Sequence, residues 1–219
     1  MPVTVPSLVI YKYIYSLVKT VRDNYVSKQA TPEDTYLWQI FGGMSFANVD
    51  YFNEAVDLLT RTPSHPKHFV VRLSFDRDRA QLPTAHVTMA EDKVNLMGIG
   101  SSESAYINSE GEPDARFERF FDFLVEIVVT SDNKNEIIII YELIKAFIPT
   151  LSVCFAEDSV YNVKTSGKDV VLKSDLVPKN LFMRTLQLTG HYSSITPSLD
   201  KQPGFIKDIF ANGKISEIN

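Results

Sequence analysis

The stretch from residue 116 to residue 152 constrains the fold most, because a strand pattern passes directly into a helical pattern within it. Apolar residues at odd-numbered positions predict one buried face of a strand: Phe117, Phe121, Phe123, Val125, Ile127 and Val129. Polar residues predict the opposite, wetter face: Glu118, Asp122, Glu126 and Thr130. The pattern indicates a half-buried strand at the packing centre of an α/β protein.

A helix is predicted immediately after this strand. Ser131 and Asp132 are expected to accept hydrogen bonds from the first helical turn, with Glu136 near the positive end of the helix dipole. The apolar run 137–141 then predicts a helix that stops at Pro149. Because that helix carries charged residues and falls short of the roughly 20 apolar residues a bilayer requires, no membrane span is expected.

Composition favours a folded chain without an affinity for nucleic acid. The 219 residues are 44% hydrophobic and 22% charged, enough to bury a sizeable core. A net charge of −5, with scattered basic residues, disfavours binding to a phosphate backbone.

The single cysteine, Cys154, cannot form an internal disulfide and is expected to be a buried, inert thiol. The first residues lack a basic stretch and the next apolar run contains Lys12 and Lys19, so no secretory signal is expected.

The remaining elements are predicted from periodicity and from Gly and Pro positions. Helices are expected over 7–25, 31–41 and 50–59, with Gly42 and Gly43 as a stop. Strands are expected over 68–75, 85–90, 94–98, 160–165, 170–172 and 181–192, with a hairpin turn at 166–169. The sequence therefore predicts one α/β domain over 1–192, with a long excursion at 98–114, followed by an extended docking tail at 193–219.

The candidate chemical groups do not form a recognised catalytic motif. His65, His68 and His86 suggest a metal site, but Pro66 disfavours the helix that would align the first two. The run 76–79 (DRDR) is more typical of a solvated turn or an intersubunit salt bridge than of an acid–base pair. Phosphate-loop, nucleophile-elbow, HExxH and paired CxxC motifs are absent. No catalytic residue, metal or cofactor is predicted, and the protein is not expected to be an enzyme.

Association with other subunits is favoured by the aromatic content, 14 Phe and 10 Tyr, because aromatic residues are enriched in interface cores. The predicted interface residues lie in the charged turn, the excursion and the tail: Arg77, Arg79, Tyr106, Phe205, Ile206 and Phe210.

Three segments resemble proteins of the neck and tail-completion region of tailed bacteriophages, particularly crAss-like and related Bacteroides phages. They are 130–136 (TSDNKNE) with the helix that follows, 175–184 (DLVPKNLFMR) with its strand, and more weakly 81–88 (QLPTAHVT). The likeness covers about the C-terminal two-thirds of the chain and does not extend to the first 60 residues.

The resemblance implies an α/β (α+β) fold similar to tail terminators, with a mixed, mostly antiparallel sheet flanked by helices. It also implies a structural virion protein, made in the bacterial cytoplasm, that forms a ring between portal and tail. Its partners would be further copies of itself and other neck, portal or tail proteins, and DNA would only pass through the channel. An acidic charge balance suits such a channel, because DNA must slide without sticking.

Two other functions fit the sequence. One is a cytoplasmic monomeric binding module for a protein or a small ligand. The other is an enzyme without a recognised motif, which would use His86, Asp76 and Asp78 in a cleft.

Overall fold

The computed structural model describes residues 4–74, 81–94, 103–107, 113–170 and 181–197. The chain starts with α1 (Pro6–Ser27), a 3-10 turn (Pro32–Asp34), α2 (Tyr36–Phe41) and α3 (Tyr51–Thr60). The apolar stripe predicted on α1 is buried, and its members are Ile10, Ile14, Leu17, Val18 and Val21. All three predicted N-terminal helices are present, the second of them split by the 3-10 turn.

A small hairpin between α2 and α3 was not predicted. It consists of β1 (Ser45–Phe46) and β2 (Val49–Asp50), paired antiparallel. Ala47 and Asn48 both have positive φ, at 50° and 65°, which is the backbone twist that two-residue hairpin turns favour. Asp50 then caps α3, because its carboxylate accepts hydrogen bonds from the Phe52 and Asn53 amides.

The main sheet has six strands. They are β3 (Val70–Leu73), β4 (Thr84–Val94), β5 (Glu103–Ile107), β6 (Pro113–Ser131), β7 (Val160–Val170) and β8 (Phe182–Pro197). The spatial order is β3-β4-β6-β8-β7, and β5 pairs with the first part of β6, beyond the end of β4. Only the β3–β4 pair is parallel among the described pairs. The prediction of an α+β fold with a mixed, mostly antiparallel sheet is confirmed.

The helices pack on one face of this sheet. The described strand side chains in the helix-packed core all come from that face, for example Ala85 and Val87 of β4, Val125 and Ile127 of β6, and Leu188 of β8. On β6 the predicted alternation is confirmed over 122–127, where Phe123, Val125 and Ile127 are buried while Asp122, Leu124 and Glu126 are half-buried. Each fully buried aliphatic side chain contributes about 2 kcal/mol, so this face anchors the fold.

The long helix α4 (Lys134–Glu157) differs from its prediction at both ends. Asn133 caps it, since its side-chain oxygen accepts a hydrogen bond from the Asn135 amide, whereas Ser131 and Asp132 had been expected to do so. Ser131 Oγ instead accepts from the Asn133 amide, just before the helix. Pro149 lies inside α4 and does not end it.

The prediction that this helix stops at Pro149, too short to span a bilayer, was therefore wrong. By length and composition α4 is apolar enough to cross a membrane, although buried core helices meet the same criterion. Its apolar residues Ile139, Ile140, Leu143 and Ile144 are fully buried in the core of this protein.

Five further predictions need correction. The strand predicted at 85–90 continues without a break to Val94 as β4, where a second strand had been predicted to begin, and residues 95–98 lie outside the described residues. The segment 166–169 is part of β7 and not a hairpin turn, and β8 continues past residue 192 to Pro197. The excursion at 98–114 contains β5 and the start of β6. Cys154 is half-buried, not a fully buried core thiol.

Candidate functional site

A buried ionic network holds the corner between β6 and α4. Glu136 is 2% exposed, and its carboxylate accepts hydrogen bonds from the Arg61 guanidinium at 2.7 Å and from Ser131 Oγ at 2.5 Å. Burial lowers the pKa of the Arg61 guanidinium, but hydrogen bonds to Glu136 and Asp57 outweigh that effect and leave its pKa raised. A salt bridge of 2.8 Å between Lys67 and Asp132 closes the same corner from outside.

Every charge in this network has an opposite charge beside it. The Arg61 side chain also donates to the Lys67 carbonyl at 3.0 Å, which ties the segment after α3 to the corner. A charge-compensated network of this kind, with the buried Glu136 at its centre, positions backbone segments. We interpret it as structural.

The second face of the main sheet carries polar and charged side chains, and we call it the polar face. Gln187 donates to the Glu126 carboxylate at 2.8 Å, and the Thr88 hydroxyl donates to the Glu126 carbonyl at 3.3 Å. At one end of this face four residues are buried: Thr84, Val128, Thr130 and Thr185. At the other end the face opens into a cavity.

This cavity has a volume of about 330 Å³ and lies across β4, β6, β8 and β7. Ten residues line it: Glu91, Lys93, Asp122, Phe123, Leu124, Asn162, Lys164, Thr189, Gly190 and His191. The volume is at the lower end of the range for small-molecule sites. It is the candidate functional site of the described chain.

Two β-bulges flank the cavity. The pairing of β4 with β6 shifts between Met89 and Glu91, and the pairing of β7 with β8 shifts between Tyr161 and Lys164. Bulges of this kind re-aim side chains and are frequent beside functional sites. Asn162, inside the second bulge, has a φ of 53°, in the left-handed region that Asn tolerates better than most residues.

The bulge in β7 makes a glycine necessary on the neighbouring strand. A Cβ on Gly190 would lie 2.6 Å from the Tyr161 carbonyl oxygen and 3.0 Å from Phe123 Cε1. Backbone at that distance cannot move aside easily, so β8 passes the bulge only with glycine at this position.

The charged groups of the cavity are arranged mostly as pairs. Lys93 forms an ion pair with Glu91, and His191 Nδ1 contacts the Asp122 carboxylate. Within the described part of the chain, Lys164 has no ion-pair partner. The cavity wall therefore presents one uncompensated ammonium group.

On the helix side of the same strands, Tyr192 is 6% exposed and donates a hydrogen bond of 3.1 Å to the Asp92 carboxylate. Burial and that hydrogen bond raise the pKa of Tyr192 to about 12. The Tyr192 ring also stacks on Phe121, with ring centroids 5.1 Å apart. The hydrogen bond between Tyr192 and Asp92 links β8 to β4 across β6, beneath the cavity.

The residues predicted as subunit interface are mostly beyond the part of the chain that the structure describes. Arg77 and Arg79 lie there, as do Phe205, Ile206 and Phe210 in the predicted tail. Tyr106 belongs to β5, whose backbone is described and whose side chains are not. The structure therefore does not test these six residues as an interface.

The three histidines considered for metal binding, His65, His68 and His86, do not line the cavity. His65 Nδ1 accepts from the Lys67 amide at 3.1 Å, and His68 Nδ1 lies 3.1 Å from the Arg61 carbonyl oxygen. His86 Nδ1 lies 3.1 Å from the Ser74 carbonyl oxygen, whereas Asp76 and Asp78 lie outside the described residues. Among described residues, no group of three or more His, Cys, Asp or Glu could hold a metal ion.

Comparison with known proteins does not identify the chain. Neither a protein-family model nor a curated protein matches it.

The cavity residues Lys93, Lys164 and His191 were missed by sequence reasoning. Asp122 alone had been assigned to the polar side of its strand. A regular strand pattern would place Glu91 and Lys164 on the helix side, so only knowledge of the two bulges could have brought these residues together.

Proposed function

We propose that this protein is a non-enzymatic structural subunit that forms a ring at the neck or tail junction of a tailed phage. The proposal joins the sequence resemblance described above to one feature of the fold. That feature is a three-stranded extension of the main sheet, which we call the ribbon: β5, residues 113–119 of β6 and residues 194–197 of β8.

The ribbon lies past the end of α4. The helix ends at Glu157, and the Ser159 carbonyl accepts a hydrogen bond of 3.2 Å from the Ser193 amide. Residue 193 of β8 is therefore level with the end of the helix. β8 and β6 continue beyond this point, still paired from Arg119↔Ser194 to Arg116↔Pro197. At about 3.4 Å per residue, the ribbon adds roughly 20 Å to the sheet.

A short ribbon is marginally stable in water unless one of its faces is covered. Association with a neighbouring subunit would supply that cover. Ring closure requires opposite flanks of one subunit to be complementary, and a projecting ribbon on one flank suits such a head-to-tail contact. The single observation that carries the proposal is this continuation of β6 and β8 past α4.

The mass of the protein in solution tests the proposal. Light scattering over a concentration series should show a species of several subunits, and negative-stain images of that species should show closed rings. A strict monomer at every concentration, with the ribbon amides unprotected, would count against self-assembly. It would favour a monomeric binding module.

Charge reversal tests the predicted interface. Because Arg77 and Arg79 alternate with acidic residues, we expect the double variant Arg77→Glu/Arg79→Glu to reduce assembly while the circular dichroism spectrum is unchanged. Lys19→Glu/Lys28→Glu is the matched control, since it makes the same charge change at two exposed positions, one within α1 and one directly after it. Equal assembly of the two variants would contradict this interface.

A further inference from the structure

The two β-bulges lie at the same level of the sheet, and each moves the residues that follow it in its strand to the opposite face. Pairing places Glu91, Leu124, Thr189 and Lys164 in one row across four strands. The next row contains Lys93, Asp122, His191 and Tyr161. Both rows lie on the polar face, and all of their residues except Tyr161 line the 330 Å³ cavity.

Each bulge brings a lysine to this face. Without the extra residue in β4, the positions opposite Leu124 and Asp122 would be Ala90 and Asp92 in place of Glu91 and Lys93. Without the extra residue in β7, Val163 would stand opposite Thr189 in place of Lys164. Val163 packs against the core instead, as expected if the bulge turns it inwards.

Lys164 is the cavity group that favours an anion. Glu91 neutralises Lys93, and the Asp122 carboxylate is held by His191, so Lys164 remains the cation without an ion-pair partner among described residues. Leu124 offers an apolar patch in the lining, and Thr189 beside it offers a hydroxyl. Such a mixture of one charge, several hydrogen-bonding groups and an apolar floor is typical of a small-molecule site.

We propose that this cavity binds a small organic anion, with a carboxylate or phosphate group on Lys164 and the body of the molecule over Leu124 and Thr189. Lys93 and His191, in the neighbouring row of the sheet, would contact its remaining polar atoms. This site is separate from the ribbon, so the proposal does not depend on ring formation.

Titration of ¹⁵N-labelled protein tests the site with two defined probes. Inorganic phosphate and succinate are added in separate experiments at constant ionic strength, set with sodium chloride, and amide chemical shifts are recorded. We expect saturable shifts for Leu124, Thr189 and Gly190, with amides of α3 unchanged. Saturation by phosphate alone, by succinate alone or by both assigns the ligand to phosphates, to carboxylates or to oxyanions in general.

A lysine pair on the same strand provides the control. Lys164→Gln should weaken binding about fivefold, the usual effect of losing one exposed charge contact. Lys168→Gln removes the same charge from the same face of β7, opposite Thr185 and outside the cavity, and should leave the affinity unchanged. Absence of saturation with both probes, or an equal loss in the two variants, would overturn the proposal.

Discussion

At the residue scale, Glu136 is the side chain on which the β6–α4 corner depends most. Glu136→Ala should lower the free energy of unfolding by about 3 kcal/mol, because the half-buried Arg61 guanidinium loses its buried partner and keeps the exposed Asp57 as its remaining carboxylate. Denaturant unfolding measures the change. Asp57→Ala removes the exposed partner of the same arginine and should cost less than about 1 kcal/mol. Equal losses in the two variants would mean that burial of the pair contributes little.

Tyr192 should make stability depend on alkaline pH. Its pKa is about 12 in the folded protein and near 10 when unfolded, so the unfolded chain loses this proton first as pH rises. The stabilisation is fully present below about pH 10 and is lost as pH rises towards about 12. The melting temperature of the Tyr192→Phe variant should therefore fall less steeply across that window than that of the parent protein. The exposed Tyr15→Phe variant should follow the parent, and parallel curves for all three would contradict the assignment.

At the scale of the element, α4 carries a proline that its packing does not require. Pro149 is exposed and lacks the N–H that would bond to the preceding turn. Pro149→Ala should raise the free energy of unfolding by roughly 1–3 kcal/mol, since proline costs about 3 kcal/mol in a helix interior and no buried contact is lost. Thr150→Ala, at the adjacent exposed position, should change it by less than about 0.5 kcal/mol. A destabilised Pro149→Ala protein would show that the proline is needed for helix geometry.

The same proline shows where sequence reasoning reaches its limit. Strong periodicity on β6 and α1 was enough to predict both elements, because burial on one face leaves a direct pattern. Pro149 suggested a helix end, but burial of Ile148 and Phe155 on either side of it keeps α4 continuous. Tertiary packing outweighed a local signal.

Gly167 gives a second example. With Ser166 and Lys168 it resembled a hairpin turn, yet it lies within β7, where a Cβ would come 1.7 Å from the Tyr141 hydroxyl oxygen. The glycine accommodates a helix side chain and not a turn. The candidate cavity was not predictable for a related reason, since bulges change which residues share a face and leave little trace in the sequence.

At the scale of the whole molecule, the sheet has three distinct regions. One face holds the helices and the core, the polar face holds the cavity, and the ribbon continues past α4. The buried network at the corner and the Tyr192–Asp92 contact stabilise the part of β6 that the helices cover. Since α4 ends before the ribbon begins, we expect local stability to fall along β6 from residue 131 towards residue 113.

Hydrogen exchange measured by mass spectrometry should detect that gradient and its loss on assembly. In dilute protein, amides of residues 113–119 should exchange faster than those of 121–131, because ribbon hydrogen bonds open locally without unfolding the core. At concentrations where larger species form, exchange in the ribbon should slow while α4, buried in both states, is unchanged. Slow exchange of the ribbon in a dilute monomer would show that it is stable alone. Slowing confined to other segments would place the subunit contact elsewhere on the molecule.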